Sequence, residues 1–139
     1  MRIAVVDGQG GGIGKSLVEK IKSRFQNQVE VIALGTNAVA TSLMIRGGAD
    51  DGASGENAIL VNVKKVDLIV GTLGIISANS MLGELTPAMA RAVSESPAKK
   101  ILIPLNRCNL FVTGGDGISL PQHLEDVLDK IQFELADKT

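Results

Sequence analysis

The residues of this chain best placed for chemistry lie near its start, in Asp7-Gly8-Gln9-Gly10-Gly11-Gly12-Ile13-Gly14-Lys15-Ser16. The apolar run Ile3-Ala4-Val5-Val6 precedes them, and Leu17, Val18, Ile21 and Phe25 follow at helical spacing. The segment therefore joins a buried strand to a helix. A helix N-terminus presents unpaired backbone N–H groups and a partial positive charge, and both favour an anion. Glycine there lets a phosphate approach with no Cβ atom in its way. Five glycines in the seven positions from Gly8 to Gly14 are more than a tight turn requires. The expected partner is a small phosphate-bearing ligand held by Gly8, Gln9, Gly10, Gly11, Gly12, Ile13 and Gly14. The alternative is a closely packed turn with no ligand. Asp7 would repel a phosphate unless it caps backbone groups instead.

In open parallel sheets, ligands bind beyond the carboxyl ends of the strands. Those ends read Asp7, Thr36 and Asn37, Thr72, and Asn106 with Cys108 nearby; Ser77, Asn79 and Ser80 follow Gly71. Such a neutral rim suits ribose hydroxyls, amides or phosphates, so Thr36, Asn37 and Thr72 join the expected binding set. The same residue types also cap helices and turns. Cys108 and His123 are single residues of their kinds. Their spacing argues for no Cys–His nucleophile, and too few ligands remain for a metal. Cys108 reads as a small, partly buried hydrophobe and His123 as solvated. Glu56 and Glu84 each follow a glycine and are candidates for acid–base work at a cleft, with helix-start placement as the simpler role. No catalytic residue is assigned, and whether chemistry follows binding stays open.

The elements that must position these residues alternate. Strands are expected at 3–6, 29–34, 66–70 and 100–105, with very short ones within 49–55 and at 110–112. Helices are expected at 37–45, 86–94 and 120–135, after the glycine loop, and as a turn at 77–82. The stretch from Asn57 to Lys65 fits a strand by composition and a helix by the spacing of Ile59, Leu60 and Val63; helix preserves the β-α alternation. Thr86-Pro87 marks a helix start, and Ser119 with Pro121 another. The fold class expected is α/β, a Rossmann-like three-layer domain over residues 1–139, its sheet mostly parallel and helices on both faces.

Composition agrees with one domain. The chain has 139 residues, 45% of them hydrophobic, but three Phe, no Trp and no Tyr, so aliphatic side chains must build the core. A net charge of −1 without basic blocks, and few aromatics, argue against nucleic acid. No apolar run approaches the ~20 residues that span a bilayer. A single cysteine excludes an intrachain disulfide framework, and a strand-like opening leaves no signal peptide, so cytoplasm is the expected location. The small apolar face of Ala88, Met89 and Ala92 suits either a second copy in a homo-oligomer or the chain's own sheet.

Two known phosphate-binding patterns can be compared with the glycine loop. Against the P-loop, Gly14-Lys15-Ser16 matches but Gln9 stands where the first glycine belongs. No carboxylate follows the later strands to hold magnesium. The loop better resembles the nucleotide-binding turn of the short-chain dehydrogenase superfamily, Thr-Gly-x-x-x-Gly-Ile-Gly, with Gly8, Gly12, Ile13 and Gly14 in matching places and Asp7 replacing Thr. That resemblance implies a dinucleotide pyrophosphate at these residues, an adenine near Asp50-Asp51, and NAD(P) or another nucleotide as cofactor. It does not extend to the chemistry: that superfamily uses a Tyr-x-x-x-Lys pair, and this chain has no tyrosine. Gly35-Thr36-Asn37 also replaces the acid that NAD-preferring sites carry after the second strand. Over nearly its whole length, from the Val5-to-Lys15 opening through Asn79-Ser80-Met81-Leu82-Gly83-Glu84 to Ile103-Pro104-Leu105-Asn106, the chain also resembles a small bacterial family of uncharacterised proteins. That resemblance implies a stand-alone domain and no particular activity.

Overall fold

The computed structural model describes residues 1–105 and 109–137. Strand β1 (Arg2–Asp7) leads through the glycine loop into helix α1 (Gly12–Phe25), then β2 (Glu30–Gly35), α2 (Ala38–Arg46) and β3 (Asp51–Ser54). Helix α3 (Glu56–Asn62) crosses back to β4 (Leu68–Thr72), and α4 (Pro87–Glu95), β5 (Lys99–Ile103) and α5 (Leu120–Asp137) complete the chain. All strand pairs are parallel, in the order β3-β2-β1-β4-β5. The chain moves outward from β1 to β2 and β3, then returns to the other side of β1. The switch point thus lies between β1 and β4, where Ile3, Ala4 and Val5 align with Leu68, Ile69 and Val70.

Near-continuous apolar strands require cover on both faces. On one face, Leu17, Val18, Ile21 and Phe25 of α1, Met44 of α2 and Leu124, Val127, Leu128 and Ile131 of α5 pack on Ile3, Val5, Val31 and Val70. On the other, Ile59 of α3 and Met89, Ala90 and Val93 of α4 pack on Ala4, Val6, Ile32, Leu34 and Ile69. Each fully buried aliphatic side chain of this kind contributes about 1.5–3 kcal/mol, so the near absence of aromatics is no handicap. The ambiguous segment after Asn57 is helical because Ile59 and Val63, one turn apart, both reach zero exposure in this second layer. Met89 lies in the same layer, so part of the small apolar face of α4 serves the chain's own core. Thr86 caps α4 as expected, its hydroxyl accepting from Met89 N–H at 3.1 Å.

Three expectations are corrected. Residues 110–112 form no strand: Asn109 at φ 59° and Gly114 at φ 87° turn the chain on either side, and Phe111 is 86% exposed. His123 is buried rather than solvated: it faces inward from the first turn of α5 and lines a cleft of about 310 Å³ together with Ile103 of β5 and Val112, Thr113 and Ile118. The turn expected at 77–82 is preceded by a 3-10 turn (Leu73–Ile76), and Asn79, Met81 and Leu82 take positive φ. Among the described residues no helix is long and apolar enough to cross a membrane.

Candidate functional site

The loop between β1 and α1 is shaped by its own close contacts. A Cβ on Gly14 would stand 2.7 Å from Met44 Sδ and 2.8 Å from Asp7 Cβ; one on Gly11, at φ +73°, would stand 2.7 Å from Ala40 Cα. Gly8 lies as tightly against Thr36 Oγ1 and Met81 Sδ. These three glycines are required by the fold. Gly10 and Gly12 are not: a Cβ at either position meets nothing within 4 Å.

Asp7 caps the backbone, the alternative to repelling a ligand. Its carboxylate is buried and accepts from Gly8 N–H at 2.8 Å and Gly14 N–H at 2.7 Å, pinning strand end to helix start. Gly11 N–H bonds Gly8 carbonyl at 2.9 Å, and Gln9 N–H donates to Glu84 Oε1 at 2.9 Å. Among the described residues, the N–H groups of Gly10, Gly12 and Ile13 have no acceptor. They border a cleft of about 400 Å³ at the ends of β1 and β4, lined by Asp7 to Ile13, Thr72, Gly74, Ser80, Met81, Leu82 and Leu105. No Lys or Arg among the described residues lines it, and the free N–H groups of Gly10, Gly12 and Ile13 are the donors that these residues offer to an anion.

The expected binding residues divide into two groups. Gly8 to Ile13 and Thr72 line the cleft; Gly14 lies beneath it on Asp7 and Met44. Thr36 and Asn37, at the end of β2, are instead tied to Glu84: Thr36 Oγ1 and Asn37 Nδ2 each donate to Glu84 Oε1 at 2.7 Å. Asn37 Nδ2 also reaches the Gln9 carbonyl, and its Oδ1 caps α2 by accepting from Ala40 N–H. The Gln9 N–H, then the Thr36 hydroxyl and the Asn37 amide, hold the Glu84 carboxyl below its ordinary value against a smaller opposing effect of burial. Sequence alone offered Glu84 as a candidate for acid–base work at a cleft, or as a helix-start residue; nothing local could show that a loop 75 positions away supplies its partner.

The remaining candidates serve elsewhere. Asp50 lies at the entering end of β3, away from the glycine loop, and bonds Val31 N–H at 2.8 Å and Lys22 Nζ at 2.9 Å. Burial pushes its carboxyl up, but the Val31 N–H and Lys22 together hold it below its usual value. Glu56 accepts from the Thr86 hydroxyl at 2.6 Å. Ser80 Oγ donates to the Gly74 carbonyl at 2.6 Å. Asn106 and Cys108 lie outside the described residues. Among the described residues, no group of three or more His, Cys, Asp or Glu could hold a metal.

In fold, the chain is similar to a dodecameric FMN-dependent Ubix-like decarboxylase from Escherichia coli, with a TM-score of 0.50 and 13% identity over 98% of this chain and 95% of that one. At that identity the likeness is one of fold. A nucleoside-diphosphate-sugar epimerase from Pseudomonas aeruginosa gives a TM-score of 0.40 and 11% identity over 98% of this chain and 49% of the other. Neither is described as a short-chain dehydrogenase. Among curated proteins no sequence matches. A family model does: the domain of unknown function DUF3842 matches residues 2–136, and this α/β chain belongs to that family.

Proposed function

We propose that this protein binds a small phosphate-bearing ligand, a nucleotide or related ester, in the cleft at the carboxyl ends of β1 and β4, without dehydrogenase chemistry. The observation that carries this reading is the pair Gly10 and Gly12. Neither is required by a neighbouring atom, and both border the cleft beside N–H groups that have no acceptor among the described residues. A glycine within a helix costs about 0.5–1 kcal/mol relative to alanine, so one at the first position of α1 that relieves no clash suits a surface left clear for another molecule. The location fits the general rule for open α/β sheets, with the ligand at the switch point. Ser80, Met81, Leu82 and Leu105 would offer apolar and hydroxyl contacts to whatever the phosphate carries. The absence of tyrosine from the sequence removes the proton donor that the dehydrogenase-like turn would otherwise suggest.

Thermal unfolding in the presence of FMN, AMP, ATP, NAD, NADP, coenzyme A and inorganic phosphate tests the reading. A ligand at one hundred times its dissociation constant adds about 2.7 kcal/mol, which moves the midpoint by several degrees in a domain of this size. The expected result is a shift with at least one phosphate ester, lost in a folded Gly12→Val protein, which carries a side chain where Gly12 borders the cleft. No shift with any of them, or a shift indifferent to Gly12→Val, would overturn it.

A further inference from the structure

We propose that Glu84 sets the size class of the ligand: the cleft takes a mononucleotide-type phosphate monoester, and the protein's own carboxylate excludes dinucleotides. The inference rests on the phosphate-ligand reading above and deepens it.

In Rossmann-like sites the end of the second strand holds the ribose hydroxyls of a dinucleotide's adenosine half. Here that end is already engaged. Thr36 Oγ1, Asn37 Nδ2 and Gln9 N–H converge on one oxygen of Glu84 at 2.7, 2.7 and 2.9 Å. Asn37 cannot turn its amide to serve a ribose instead, since its Oδ1 is held by Ala40 N–H at 2.8 Å. A dinucleotide crossing from β4 to β2 would also bring its second phosphate toward the Glu84 charge, and like charges at close range repel.

Between the two ends, side chains crowd the loop. Met81 Sδ and Thr36 Oγ1 press on Gly8 so closely that a Cβ there would lie 2.6 and 2.5 Å from them. The loop carrying Met81 and Glu84 is built into this position. Met81 and Leu82 adopt φ of 59° and 56°, and the loop is fastened by Asn79 N–H to Leu85 carbonyl at 2.8 Å and Leu85 N–H to Ser80 carbonyl at 3.2 Å. What remains open is the cleft over β1 and β4, whose 400 Å³ lies toward the small end of ligand pockets, about 300–1,000 Å³.

Two ligand pairs isolate the effect, because each dinucleotide contains its mononucleotide plus one adenylate: FMN with FAD, and nicotinamide mononucleotide with NAD. Calorimetric titration of the wild-type protein is expected to show at least one mononucleotide binding about tenfold or more tightly than its dinucleotide. In Glu84→Ala the ratio of the two affinities should fall by about tenfold. Glu84→Gln, which keeps the shape and loses the charge, should fall between them and decides the matter by the same ratio if Glu84→Ala does not fold. A dinucleotide that binds wild type as well as its mononucleotide, or a ratio unmoved by either variant, overturns the role of Glu84 alone. Failure of all four probes on wild type and variants overturns this inference, and the phosphate-ligand reading falls with it only if AMP, ATP, NADP, coenzyme A and inorganic phosphate also leave the unfolding midpoint unmoved.

Discussion

The Glu84 carboxylate and the Gln9 backbone N–H, 75 positions apart in sequence, meet at 2.9 Å and join the loop after β4 to the loop after β1. A hydrogen bond from a backbone N–H to an ionised carboxylate is among the stronger kinds in a protein. Both loops border the cleft, so this contact fixes its mouth as well as its edge over β2.

The pH dependence of that contact follows from the cause of the shift. The Gln9 N–H, followed by Thr36 and Asn37, favours the charged form and holds the Glu84 carboxyl below its ordinary value. A depressed value in the folded state means stabilisation that is full above the ordinary glutamate range and lost as pH falls through the lowered one. The Gln9 amide resonance should therefore hold steady through the ordinary range, move only at lower pH together with the Glu84 carboxyl carbon, and cease to titrate in Glu84→Gln. A Gln9 amide that titrates at the ordinary glutamate value would show that the contact does not persist in solution.

The two kinds of glycine in the loop should respond oppositely to alanine. At Gly14 the methyl would lie 2.7 Å from Met44 Sδ and 2.8 Å from Asp7 Cβ, so strand and helix must part. Overpacking of this kind costs about 1–3 kcal/mol. At Gly12 the methyl enters open space at the first position of α1, where replacing glycine gains about 0.4–1 kcal/mol from the unfolded state. Urea unfolding of the two variants measures both. Equal destabilisation would mean that Gly12, too, is there for packing.

Much of the fold was legible because its signals are local. The apolar runs around Val5, Ile32 and Ile69, the helical spacing from Leu17 to Phe25, and Thr86-Pro87 each act within a few residues. That the glycine loop and Thr72 come together, here as the lining of one cleft, was legible for the same reason. What escaped depends on chain segments far apart. His123 is buried beside a cleft that it shares with Ile103 of β5 and Val112, and the engagement of Thr36 and Asn37 depends on Glu84 reaching across from another loop. Residues 110–112 misled because three apolar residues look like a strand, whereas the turns on either side decide their conformation.

The Asp50 contact provides a control remote from the cleft. Although burial opposes its charge, Val31 N–H and Lys22 lower its pKa, so its contribution is present above the ordinary aspartate range and lost as pH falls through the depressed value. Asp50→Asn should lower stability by roughly 1 kcal/mol at neutral pH, the scale of a partly exposed charge-assisted bond. It should cost little at pH low enough to protonate the wild-type residue, and leave phosphate-ester binding unchanged. Altered ligand affinity in this variant would contradict its placement at the entering end of β3.

Asp7 offers the sharpest test of how the glycine loop is held. Its two oxygens accept from Gly8 and Gly14 N–H at 2.8 and 2.7 Å in a buried setting. An asparagine fits the same space but presents one amide NH2, so one of the two backbone donors must face another donor. Leaving a buried donor unsatisfied costs about 1–3 kcal/mol. Asp7→Asn should therefore unfold at lower urea concentration and speed hydrogen exchange at Gly8 or Gly14, while Gly11, whose N–H bonds the Gly8 carbonyl, follows only if the turn itself opens. If Asp7 served instead as an acid or base toward a ligand, Asp7→Asn would leave stability and exchange in the empty protein nearly unchanged and act only once ligand was added. The two roles separate in the protein without ligand, before any substrate is known.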